Sequence, residues 1–206
     1  MSGQLSVFSA GTRPPAYDDL AGLLAGPAQV VRRGATARLS VVLPTAEAWR
    51  VTALTAELAA LGLVAEAASS GGRAATVVRT PFAAELAPLA QRWTVGATKR
   101  APVGLRLDGA RLRWWFLAAG RPDPIGFLLT LDPTVDASWP TVGAALADAG
   151  VPGVLLGPRA DGPAYRIVGA RRLARLRELV GEPPVGAGPR SWPPADRHPQ
   201  PAPSRG

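Results

Sequence analysis

Apolar and polar positions along this chain alternate in two rhythms, one with a helical period and one with a strand period, and the order of the changes gives a repeating plan. From Tyr17 to Gln29 the run Y-D-D-L-A-G-L-L-A-G-P-A-Q reads as a short apolar helix. Pro14-Pro15 open it, Asp18 or Asp19 lies in its first turn where negative charge suits the helix dipole, and Pro27 stops it. Val30 to Arg33 and Arg38 to Leu43 are β-rich runs around Gly34-Ala35-Thr36, which predicts a hairpin. Thr45 is placed to cap a helix from Glu47 to about Leu61, with Trp49, Leu54, Leu58 and Leu61 at helical spacing and Gly62 as the stop. Leu63 to Ala68 and Ala74 to Thr80 flank Ser70-Gly71-Gly72 as a second hairpin. Pro81 then opens a helix to Trp93 whose apolar stripe is Phe82, Leu86, Leu89 and Trp93.

The same order returns after a basic connector, Gly96 to Pro102. Asp108 reads as the N-cap of a helix at Arg111 to Arg121, R-L-R-W-W-F-L-A-A-G-R. Ile125 to Leu131 is a strand whose hairpin partner the pattern leaves undefined, because Thr134 to Ser138 is short and polar. A helix from Trp139 to Ala149 ends at Gly150, Val154 to Leu156 pairs with Ala164 to Val168 across Gly157 to Gly162, and Arg171 to Val180 closes the series. Helix, hairpin, helix, hairpin, helix thus occurs twice, without strong residue identity between copies. The expected boundaries are an irregular leader at 1–16, a first repeat at 17–95, a connector at 96–108, a second repeat at 109–181 and a tail at 182–206. The tail is rich in Pro, Gly, Ala and Arg, cannot bury a core, and is expected to be disordered.

The two central helices are complementary. Ala21, Gly22, Ala25 and Gly26 leave one face of the first bare enough for another backbone to approach, and Trp114, Trp115 and Phe116 supply bulk that such a face would receive.

Composition removes most chemistry. With no cysteine, disulfides, thiolate nucleophiles and Cys-based zinc sites are excluded. The single histidine, His198, sits in the Pro-rich tail, which takes histidine bases, Ser-His-Asp triads and His-ligated metals out of any folded site. Carboxylate chemistry alone remains. The net charge of +8 points to an anionic partner, nucleic acid being the usual one, although an arginine skew with Lys99 as the only lysine also follows from GC-rich coding sequence. No apolar run approaches the ~18 residues of a membrane span, and Met1 to Pro15 lacks the basic and apolar regions of a secretory signal. A cytoplasmic monomer without membrane partner or cofactor is expected.

Leu20-Ala21-Gly22-Leu23-Leu24-Ala25-Gly26 matches most of a family's naming motif. Lys99-Arg100-Ala101-Pro102, then Leu107, then Leu112 to Gly120 resemble that family's second copy, and Ala164 to Gly169 followed by Leu173, Leu176 and Leu179 resemble its closing strand and helix. The chain thus resembles a single-chain, two-repeat LAGLIDADG homing endonuclease over 17–181. The resemblance implies an α+β fold of two αββαββα repeats about a pseudo-two-fold axis, with saddle-shaped antiparallel sheets lying along the major groove of DNA. It also implies one acid at the base of each motif helix, the pair holding divalent metal ions between the scissile phosphates.

Registering the motifs puts Pro27 and Ala119 at those acid positions, with Ala25 and Ala118 beside them. Asp18 and Asp19 lie at the far end of the first helix, on the order of 13 Å away. Asp123 follows Ala119 closely but has no counterpart after Pro27. The expectation is a catalytically silent protein, with no catalytic or metal-binding residue, that binds double-stranded DNA. Its contacts would be Arg32, Arg33, Arg38, Arg73 and Arg79 in the first repeat, Lys99 and Arg100 in the connector, and Arg166 in the second. The nearly all-apolar strands of the second sheet make this footprint lopsided. They motivate the alternative of a protein-interaction scaffold reusing the saddle, and a weakly active endonuclease built on Asp123 is the enzymatic reading that remains.

Overall fold

Two short helices meet at the centre of the protein, each followed by the hairpin that its own C-terminus launches. The computed structural model describes residues 14–70, 74–158 and 162–194. A 3-10 turn at Tyr17–Leu20 leads into α1 (Ala21–Ala25), then β1 (Gln29–Arg33), β2 (Thr36–Pro44), α2 (Ala48–Ala60), β3 (Glu66–Ser69), β4 (Ala75–Arg79) and α3 (Ala87–Arg92). A two-rung hairpin, β5 (Thr94–Val95) with β6 (Thr98–Lys99), carries the chain across. The second half runs α4 (Gly109–Ala119), β7 (Gly120–Asp123), β8 (Gly126–Thr130), α5 (Trp139–Asp148), β9 (Val154–Leu156), β10 (Ala164–Val168) and α6 (Ala170–Val180). Both large sheets are antiparallel and share one order, β1-β2-β4-β3 and β7-β8-β10-β9, so the topology repeats as αββαββα.

Local chemistry explains where the elements differ from expectation. α1 is shorter than the run Tyr17 to Gln29, because a residue before proline is driven out of the helical region and Gly26 is extended ahead of Pro27. Thr45 caps nothing; it begins a 3-10 turn at Thr45–Glu47 that leads into α2. Asp108 does cap α4, its carboxylate accepting from the Arg111 amide at 3.0 Å. α4 stops at Ala119 and Gly120 passes straight into β7, the missing hairpin partner of β8. β7 contains Pro122, which only an edge strand tolerates, and β7 is an edge. Residues 81–83 continue the first sheet rather than opening a helix, since Ala83 bridges Ala37, so Phe82 leaves the helical stripe.

The core lies between each sheet and the helices packed on its inner face, and along the central helix pair. In α4 the consecutive residues Trp114 to Ala118 are all buried, as befits a helix packed on every side. In α1 every residue is buried. The two helices touch through the small residues: a Cβ on Gly26 would sit 2.6 Å from the Trp115 ring.

The expectation of a structureless tail fails for residues 182–194. Trp192 is 3 % exposed; its ring lies 4.8 Å from Phe116 and 6.4 Å from Trp49, and its indole N–H donates to the Gly181 carbonyl at 2.8 Å. One large aromatic that reaches the core offsets the poor burial potential of its neighbours. No helix among the described residues is long and apolar enough to cross a membrane.

Candidate nucleic-acid interface

The C-terminal ends of α1 and α4 converge on a single open cavity of about 280 Å³, whose walls include Pro27, Val42, Pro44, Ala118, Ala119 and Thr130. Pro27 and Ala119, the two positions the motif register assigns to acids, therefore do come together. The carboxylate in this cavity is Glu47, which no motif position singles out because it enters from the turn that leads into α2. It is already engaged, since the Arg50 Nε donates to Glu47 Oε2 at 2.8 Å. Asp123 is also engaged, paired with Arg166 at 3.2 Å across the second sheet. Asp18 sits at the opposite end of the helices, between Arg92 and Arg111. Among the described residues no three carboxylates or other metal-binding side chains converge. The donor set does not fit the metal ions that the family resemblance implies.

Cationic side chains cap both helix ends instead. Helix C-termini leave carbonyls without intrahelical partners and carry the negative end of the helix dipole. Arg50, buried to 1 % exposure, donates to the carbonyls of Phe116 at 2.9 Å, Leu117 at 2.7 Å and Gly120. Lys99, 6 % exposed, donates to Gly26 O at 2.8 Å and Ala28 O at 2.7 Å and lies 2.9 Å from Asp132 Oδ2. Burial lowers the Lys99 ammonium below the usual lysine range, with Asp132 opposing that drift. For Asp132 burial alone would push the carboxyl up, but the Lys99 charge and the Thr134 hydrogen bonds together hold it below its ordinary value. Desolvation likewise lowers Arg50, against the pull of Glu47. Lys99 was expected among the DNA contacts; its burial removes it from that surface.

The outer faces of the sheets carry the remaining candidates. Strand register puts Val31, Arg33, Thr36, Arg38, Ser40, Val42, Val77 and Arg79 on one face of the first sheet, opposite the core. Arg32 pairs with Ala37 and so belongs to the other face, separated from Arg33. The guanidinium groups of Arg33 and Arg38 stack on the Phe82 ring at 4.3 and 4.7 Å. Phe82 thus fixes two arginines side by side, a role hidden while it is read as a helical core residue. Arg79 is exposed, with Glu66 directly across the strand pair. Arg100 is exposed after β6, and Arg73 lies outside the described residues.

The second sheet is less apolar outward than its composition implied. Phe127, Leu129, Tyr165 and Ile167 turn to the core, and Leu128, on the outer face, is 6 % exposed. Arg121 and Arg166 stand directly opposite Leu128 on its two neighbouring strands. The sequence pattern places Arg121 at the end of a helix; α4 stops two residues earlier, at Ala119, which turns Arg121 into a sheet residue.

No family model matches the chain, and no curated protein does. Solved structures do. A homing endonuclease, I-WcaI, bound to its DNA recognition sequence superposes with a TM-score of 0.58 at 10 % identity, covering 80 % of this chain and 79 % of that one. The N-terminal LAGLIDADG domain of DUF199/WhiA superposes with a TM-score of 0.51 at 9 % identity, covering 84 % of this chain and 86 % of that one. With paired sheets of identical order and two small-residue-packed helices at their junction, the chain has the LAGLIDADG homing-endonuclease fold in its two-repeat form.

Proposed function

We propose that this protein binds double-stranded DNA along the outer faces of its two sheets, as a cytoplasmic single chain, and does not cut it. The observation that carries the reading is the arginine pair of Arg33 and Arg38 stacked on Phe82, with Arg79 on the same face. Arginines held in place by an aromatic ring lose less freedom on binding, and their planar forks suit phosphates and guanine edges. Arg121 adds basic charge to the outer face of the second sheet, and Arg166 beside it shares its charge with Asp123, so the footprint still leans to the first sheet. The DNA-bound neighbour of the same fold supports the same partner. Absence of cutting rests on the helix ends, where the acid positions are Pro27 and Ala119 and Glu47 is held by Arg50.

The protein-scaffold alternative drew on the apolar second sheet. Its support narrows to Ile125 in the β7–β8 turn and to Val154 and Leu155 on edge strand β9, 64 %, 58 % and 42 % exposed, since the leucines of β8 are buried. One experiment separates the readings. Purified protein is mixed with random-sequence duplex DNA over a salt series, with Mg²⁺ or Mn²⁺ in parallel samples. Affinity that falls steeply with salt and leaves the DNA intact supports the proposal. No binding at low salt, or nicking abolished by Glu47→Gln or Asp123→Asn, overturns it.

A further inference from the structure

The two buried cations at the helix ends have a geometry that goes beyond capping. Each faces a set of oxygen atoms of the kind that holds a hard metal ion: backbone carbonyls at a helix C-terminus plus one carboxylate. For Lys99 the oxygens are Gly26 O, Ala28 O and Asp132 Oδ2, at 2.8, 2.7 and 2.9 Å, which use all three ammonium donors. For Arg50 they are the carbonyls of Phe116, Leu117 and Gly120 and the Glu47 carboxylate. The two clusters lie on either side of the helix seam, one at each acid position. Neither cation comes from the helix it caps, so each also ties a distant element to that seam: Arg50 joins α2 to α4, and Lys99 joins the β5–β6 hairpin to α1 and to Asp132 after β8.

We propose that Lys99 and Arg50 are built-in replacements for bound metal ions, so that the seam is held by the chain's own cations and is indifferent to divalent metals. The inference stands on the helix-end geometry alone and holds whether or not the sheets bind DNA.

Mn²⁺ is the probe. The unmodified full chain is titrated with Mn²⁺ while free ion is followed by electron paramagnetic resonance and the melting temperature is recorded. The expected result is no saturable binding and an unchanged melting temperature; saturable binding with a rise in melting temperature overturns the proposal. Lys99→Ala then leaves Gly26 O, Ala28 O and Asp132 facing the volume of the lost side chain. This variant is expected to melt lower and to regain part of the loss in Mn²⁺ but not in K⁺, through one saturable site. A folded variant blind to Mn²⁺ overturns the proposal. If Lys99→Ala does not fold alone, refolding is tried in Mn²⁺ and in K⁺. Recovery of the circular-dichroism spectrum in Mn²⁺ only supports the replacement, and failure in both, or recovery in both, overturns it.

Discussion

Gly22 lies against the backbone of Arg111 so closely that a Cβ at position 22 would stand 1.8 Å from the Arg111 carbonyl oxygen. The obstacle is main chain, which cannot swing aside. Gly22→Ala is therefore expected to force α1 and α4 apart, costing the upper part of the ~1–3 kcal/mol typical of overpacking, or more. Gly26→Ala meets the Trp115 side chain instead, at 2.6 Å, and is expected to cost less because an indole can rotate. Urea midpoints for the two variants check this; equal midpoints would mean that the backbones are not in contact.

Asp132→Asn removes the counter-charge of a buried ammonium. Breaking one partner of a buried pair costs about 3–5 kcal/mol, and that loss is expected at neutral pH. The pH profile carries the signature. In the unmodified protein the lowered Asp132 carboxyl contributes stability that is full above the unfolded-state carboxylate pKa and is lost as pH falls through its lower folded value. The variant lacks that acid limb. Its Lys99, with burial now unopposed, binds its proton more weakly folded than unfolded, so the variant gains stability as pH rises toward the ordinary lysine range. Chemical denaturation at several pH values measures both limbs.

Arg33→Ala, Arg38→Ala and Arg79→Ala are each expected to lower affinity for duplex DNA and to reduce the slope of log affinity against log salt by about 1, one phosphate contact per arginine. Phe82→Leu keeps the charges and removes the stacking surface, so it should weaken binding while leaving the slope unchanged. Arg172→Ala, exposed on α6, a helix that packs against α4, serves as the control. Fluorescence anisotropy at graded salt separates these outcomes.

Trp192→Ala deletes the anchor of residues 182–194. Truncating a buried tryptophan costs about 3–5 kcal/mol. The ring's contacts with Phe116 and Trp49 and its cation–π contact with Arg113 at 5.6 Å are lost together. A lowered thermal midpoint with unchanged DNA affinity is expected, because Trp192 lies on the core side of the structure.

Period and punctuation carry the αββαββα order, since helical spacing, glycine stops and turn residues are local signals. The small-residue face of α1 was legible for the same reason: Gly22 and Gly26 announce a close approach before the partner is known. Local reading fails where proline changes meaning with context. Pro122 marks β7 as a non-strand until it is known to be an edge. The helix-end cations were beyond reach because Arg50 and Phe116 are 66 residues apart and Lys99 and Gly26 are 73 apart, with no pattern connecting them. Trp192 escaped because averaging a tail's composition hides one residue that finds a slot.

The guarded helix ends also set the terms for any redesign. An aspartate placed at Ala119 would arrive beside a fixed guanidinium, and one placed at Pro27 would sit between the two carbonyls that Lys99 grips. Each newcomer would be neutralised internally before an ion from solvent reached it. Converting this scaffold into a cutter is therefore not a two-letter edit, because every acid added needs a resident cation withdrawn in the same step.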